Sequence, residues 1–203
     1  MRKKDRLYPW EAAALLTLCA LLLMGVWARG RQEALASRLI RLHVIAASDS
    51  AGDQAAKLAV RDAALSLLEP LLAEAGDVSQ ARDVLREALP ALEETARDIA
   101  GTAARASLSR ESYPTRVYES FSLPAGRYLS LRIVLGEGRG QNWWCVVYPP
   151  LCSAGTEEAL SAGALDDGDV RLITEDGAGY ELRFRVLEWW GELTSRREEK
   201  SKQ

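Results

Sequence analysis

At 203 residues and a formal net charge of -3, the chain has room for one ordinary domain with a real core and too little for two independent cores. Basic side chains are mostly interleaved with acidic ones along the sequence, which argues against binding a nucleic-acid phosphate backbone. Two clustered thiols and a single distant histidine fall short of a four-ligand zinc site, so neither metal nor cofactor is expected.

Arg2, Lys3, Lys4 and Arg6 precede an apolar run from Ala12 to Val26, broken only by Thr17. Basic residues before such a run hold the N-terminus in the cytoplasm, so the segment is an export signal or a signal anchor. The run is shorter than the roughly 20 residues of a comfortable membrane span. Val26-Trp27-Ala28 offers small residues at the first and third positions of a cleavage site, and cleavage after Ala28 is the expected outcome. The chain therefore divides into 1–28 as signal peptide or anchor, 29–38 as linker, 39–195 as the exported domain and 196–203 as a charged tail. Losing residues 1–28 removes four basic and two acidic side chains and leaves a net charge of -5.

From Leu39 to Ala46 apolar residues alternate with Arg41 and His43, a strand with one buried face. Ser48, Asp49 and Ser50 end it, and a helix from about Asp53 to Ala75 follows, with Ala55, Leu58, Leu65, Leu68 and Leu72 as its apolar stripe and Lys57 and Arg61 on another face. Ser79 caps a second helix that runs to about Leu108, with Pro90 marking a kink or a break. Tyr113 to Ser120 and Arg127 to Leu135 read as strands about the turn Leu123-Pro124-Ala125-Gly126. The Gly136 to Gly140 loop is predicted to be a hairpin connection, because a strand follows it instead of the helix a phosphate loop would need.

Asn142 to Tyr148 is a strand stopped by Pro149 and Pro150. Alternation puts Trp143, Cys145 and Val147 on one face and Trp144, Val146 and Tyr148 on the other. Cys145 and Cys152 either form a disulfide outside the reducing cytoplasm or remain two buried thiols, and the sequence leaves both open. The acidic loop Asp166 to Asp169 lacks the ligand spacing of a calcium site. Residues 180–188 fit either a strand, with Leu182, Phe184 and Val186 alternating, or a C-terminal helix with the stripe Leu182, Val186, Trp189 and Leu193, with the helix preferred and Trp189 and Trp190 as packing residues. The predicted fold is α+β, a single domain with an antiparallel sheet packed against long helices.

Catalysis has few parts available. His43 is the only histidine, so a nucleophilic mechanism must use it, with Asp49 or Asp53 as orienting group and Cys145 as nucleophile. No nucleophile elbow, zinc signature or carboxylate pair accompanies them, and no catalytic residue is assigned.

Arg41-Leu42-His43-Val44-Ile45-Ala46-Ala47-Ser48-Asp49-Ser50, followed by Asp53-Gln54, Lys57 and Val60-Arg61-Asp62, closely resembles the opening block of the stage II sporulation protein R family. Tyr113-Pro114, Leu123 to Gly126, Leu131-Arg132-Ile133 and the run from Asn142 to Cys152 resemble its second block. Ala47 departs from the family, which commonly has Asn there. The resemblance implies a signalling protein of endospore-forming bacteria, made in the forespore and exported into the space between forespore and mother-cell membranes. There it would trigger a membrane-embedded aspartic protease that processes the pro-sigma-E precursor. No small-molecule substrate is implied. Candidate partner anchors are the aromatics Trp143, Trp144 and Tyr148, and a second group, His43, Asp49, Asp53, Arg61 and Asp62, surrounds the strand-to-helix turn. The alternatives are an exported cell-wall or peptide hydrolase using His43 and a purely structural envelope module.

Overall fold

Alternation in the first strand places apolar and polar side chains on opposite faces, and the sheet is built around it. A computed structural model describes residues 8–118 and 121–151, with positions 165, 169 and 173. In order these form α1 (Pro9–Arg38), β1 (Ile40–Ile45), α2 (Ala51–Ala73), α3 (Val78–Ala100), β2 (Ala104–Tyr113), β3 (Arg116–Val117), β4 (Ser122–Leu123), β5 (Gly126–Leu135) and β6 (Asn142–Tyr148). The order in the main sheet is β2-β5-β1-β6, with β3 and β4 as a separate two-stranded ribbon. The α+β fold is as expected, but the sheet is mixed. β1 runs antiparallel to β6 and parallel to β5, and the parallel pair is possible because α2, α3 and β2 supply the long crossover it needs.

One face of the sheet packs under α2 and α3. Leu42, Val44, Leu131 and Ile133 are fully buried there, and each is worth roughly 1.5–3 kcal/mol relative to exposure. Helix α2 keeps Leu68 and Leu72 of its expected stripe inward, with Leu65 packed beside them, but turns its N-terminal part so that Lys57 replaces Ala55 and Leu58 on the inner face. The buried positions are Lys57, Val60, Ala64, Leu68 and Leu72, whereas Leu58 is 40% exposed and Ala55 is exposed. Lys57 is tolerated because its Nζ donates to Gln54 Oε1 at 2.6 Å and to the Gln141 carbonyl at 3.2 Å. Helix α3 is continuous through Pro90 and stops at Ala100, eight residues before the expected Leu108. Gly101, at φ 61, supplies the left-handed cap. Beyond it Ala104–Tyr113 pairs along its full length with β5, so tertiary pairing overrides the helix preference of the alanines. β2 ends at Tyr113, before Pro114, and of the strand expected at Tyr113 to Ser120 only the two-residue β3 forms beyond it among the described residues.

The glycine loop is not a hairpin, because its strands β5 and β6 have β1 between them. The loop crosses the end of β1, with the Gly140 N–H donating to the Ala46 carbonyl at 3.0 Å and that of Arg139 to the Ala47 carbonyl at 3.2 Å. A register shift at Ile40/Arg41 lets Val147 and Tyr148 both join the helix-side core. Tyr148, expected on the face of Trp144, is therefore on the other side.

Helix α1 is apolar and long enough to cross a membrane, and its apolar window is unburied, which fits a signal or anchor segment. Residues 29–38, read as a linker, are its last turns, and Leu35 and Ala36 pack into a second cluster on the opposite face of the sheet with Tyr113, Tyr128 and Val146. Leu165 and Ile173 also join that cluster, and Asp169, which the sequence puts in an acidic loop, is helical and pairs with Arg38 at 2.5 Å. The segment 180–193, with Trp189 and Trp190, and Cys152 lie outside the described residues.

Candidate partner-binding face

The predicted site residues separate into two places. Around the strand-to-helix turn, Asp49 Oδ1 accepts from the Gln141 N–H at 2.8 Å. The Asp53 carboxylate accepts from the Ser48 hydroxyl, and the Asp53 N–H donates to Ser50 Oγ at 3.1 Å as a helix cap. Neither carboxylate orients His43. Both fasten the turn and the crossing loop, so this part of the motif is structural. Arg61 pairs with Asp62 at 2.7 Å and lies 5.0 Å from the Trp143 ring, on the helix side. Tyr148 is only 5% exposed and its hydroxyl donates to the Ala75 carbonyl, so it anchors the core and has no ring to offer a partner.

The opposite face of the sheet brings together His43, Trp144 and several residues that the sequence does not single out. Strand register aligns Ser107, Arg132, His43 and Trp144 in one row across all four strands. His43 Nδ1 lies 3.0 Å from Glu111 Oε2, and its Nε2 lies 2.9 Å from Asn142 Oδ1. The imidazole is also 5.6 Å from the Trp144 ring. The Arg116 guanidinium carbon lies over the Trp144 ring at 4.1 Å. Glu111 further accepts from the Tyr113 hydroxyl at 3.1 Å and faces Arg132 Nε at 3.6 Å. Arg41, one step along β1, is fully buried, 3.9 Å from the Tyr113 ring centre, and donates to the Tyr118 hydroxyl at 2.6 Å. Its Nε and Nη1 have no hydrogen-bond partner among the described residues.

Burial raises the Glu111 carboxyl, but hydrogen bonds from His43 and Ser130, the charge of His43 and the Tyr113 hydroxyl outweigh it and hold the group below its ordinary value of 4.5. A carboxylate lowered in the folded state contributes stability that is present above its unfolded value and lost as pH falls through its folded value. Acidification below 4.5 is expected to lower the unfolding midpoint of the native chain more steeply than that of Glu111→Gln, as followed by near-ultraviolet circular dichroism. Parallel curves would show that Glu111 carries no such linkage. Burial likewise raises the Tyr113 and Tyr128 hydroxyls, which keeps both neutral.

Cys145 is disulfide-bonded and pairs across β1 with Leu42, a helix-side core residue. It is neither beside His43 nor a free nucleophile, so the Cys145–His43 scheme fails. Cys19 is free and exposed.

Residues 36–158 match the profile of stage II sporulation protein R, a span that runs from the docked end of α1 through every strand of both sheets. The chain belongs to the stage II sporulation protein R family. A member from Bacillus subtilis (strain 168), named stage II sporulation protein R, is 35% identical over 182 residues, covering 77% of this chain and 81% of that protein. No solved structure matches. Family membership places the chain's role in sporulation, and the family's span contains both the structural turn and the polar-aromatic face.

Proposed function

We propose that this chain is an exported sporulation signal that activates a membrane-embedded aspartic protease of the mother cell, leading to processing of the pro-sigma-E precursor. The apolar α1 takes it across the forespore membrane into the intermembrane space, either as a signal removed after Ala28 or as a retained anchor. The observation that carries a ligand role over a catalytic one is the state of the polar side chains. Both ring nitrogens of the only histidine are engaged, by Glu111 and Asn142, and the sulfur of Cys145 is tied up in a disulfide. These groups build a rigid surface in which none of them is a nucleophile poised beside a base. A protein ligand activates a protease only by binding its active state more tightly than its inactive one. The expected site of that binding is the face bearing His43 and Trp144, because an aromatic ring held by its neighbours loses little freedom on binding.

The test adds the full-length chain to membranes that carry the protease and its precursor substrate. Cleavage is expected to rise about ten-fold or more, the effect of a binding preference of about 1.4 kcal/mol or more for the active state. Unchanged cleavage by a protease shown to be competent would overturn the proposal.

A further inference from the structure

Charges that interleave along the sequence separate in the fold. The six described strands contain Arg41, Arg105, Arg110, Arg116, Arg127 and Arg132 against a single acidic residue, Glu111. Helices α2 and α3 together carry eight acidic residues against five basic ones. By register Arg41, Arg105 and Arg132 share the face of His43 and Glu111, and Arg116 joins it over Trp144, whereas Arg110 and Arg127 fall on the helix-side face with Leu129. The polar-aromatic face thus carries four arginines against one acid among the described strand residues of a protein whose net charge is -3. Two of its cations are set up to receive an anion. Arg116 is exposed, with its guanidinium carbon over the indole of Trp144 at 4.1 Å, a contact that limits the freedom of its donor fork. Arg132 is 43% exposed at the side chain and steadied from below by Glu111. His43 lies between Arg132 and Trp144 in the same row, and Ser107 continues that row to the edge of the sheet. Glu111 faces inward at 19% exposure, bound by His43 and Tyr113, and offers an incoming acid little repulsion.

We infer that the row Ser107–Arg132–His43–Trp144, with Arg116 over its indole, is the docking surface for an acidic polypeptide segment of the partner. Planar guanidinium forks match carboxylate oxygens in pairs, and the indole supplies apolar contact beside them. This inference rests on the activating role proposed above and specifies the chemistry of the surface through which it acts.

The test compares full-length variants in the protease membranes. Arg116→Glu is expected to raise the concentration for half-maximal stimulation about ten-fold or more, and raised ionic strength to weaken the native chain more than the variant. Arg132→Gln removes the second cation without placing an acid beside Glu111, and is expected to act in the same direction. Thermal melts report whether each variant is folded, and Arg86→Glu, on the exposed side of α3, is expected to leave activation unchanged. Native stimulation that survives both substitutions undiminished overturns this inference alone, whereas absence of native stimulation overturns the activating role as well. Binding of the native chain to protease-free phosphatidylglycerol vesicles, lost in Arg116→Glu, would assign the surface to lipid and overturn it too.

Discussion

Gly140→Ala is expected to destabilise the folded chain by about 3 kcal/mol, lowering its melting temperature by about 6–12 °C. A β-carbon there would overlap the Ser48 carbonyl oxygen and lie 2.6 Å from its carbon and 2.8 Å from the Ala46 β-carbon. Two of those neighbours cannot rotate away, because they are backbone of the turn that Asp49 and Asp53 hold. Relief requires the crossing loop to lift, which would break its hydrogen bonds to Ala46 and Ala47 and loosen the Lys57 contact with Gln141. Gly52, in the first turn of α2, is the internal control. Nothing described lies within 4 Å of its added β-carbon, so Gly52→Ala is expected to stabilise by about 0.5–1 kcal/mol. Equal melts for the two alanine variants would contradict a tightly seated loop.

Arg41→Ala is expected to cost about 3 kcal/mol, with Arg41→Met recovering to within about 1 kcal/mol of the native chain. The guanidinium is fully buried beside Tyr113 and Tyr128, so alanine leaves a void in the second cluster. Methionine fills much of that volume without the two buried donors that find no acceptor among the described residues. Those orphaned groups cost free energy, while the cation–π contact and the bond to Tyr118 are worth a similar amount. Charge and volume are therefore separable at this position. If methionine proved as damaging as alanine, the positive charge itself would be what holds the tyrosines in place. Chemical denaturation of the two variants decides between these outcomes.

The elements that the sequence specifies well are those whose pattern is local. β1, β5 and β6 follow from alternation, and α2 follows from the Ser50 cap and its length. The inward face of α2 is legible in its second half, where Leu68 and Leu72 are buried, and hidden at its start, where leucines outweigh a lysine in any hydrophobic count and Lys57 enters the core on a hydrogen bond to a residue 84 positions away. The end of α3 is hidden because alanine favours helix, and the pairing of β2 with β5 that overrides it is invisible locally. The loop at Gly136 to Gly140 resembles a hairpin in composition. Its glycines are needed instead because it passes tightly over β1, which depends on the strand order.

The candidate face is half legible. His43 and Trp144 stand out as the single histidine and half of a tryptophan pair, but the sequence puts them in separate groups. Only the pairing of β1 with β6 joins them. Arg41 carries a usable signal, since an arginine two residues before a histidine in an alternating strand shares its face. Glu111 and Arg116 give none, and Arg132 and Asn142 stand out only as parts of the family blocks, because each takes its meaning in the site from a neighbour on another strand. The acidic residues of the turn mislead in the opposite sense, being conspicuous as a cluster while serving to fasten the fold.

If this chain signals by binding through the basic, aromatic face of its sheet, dose must control cleavage. The decisive measurement is cleavage of the pro-sigma-E precursor by protease-bearing membranes as a function of the concentration of the full-length chain. The expected result is a saturable rise in cleavage that persists in Arg86→Glu and is shifted by about ten-fold or more in Arg116→Glu. Cleavage that stays at its basal rate at every concentration of the folded native chain would contradict it.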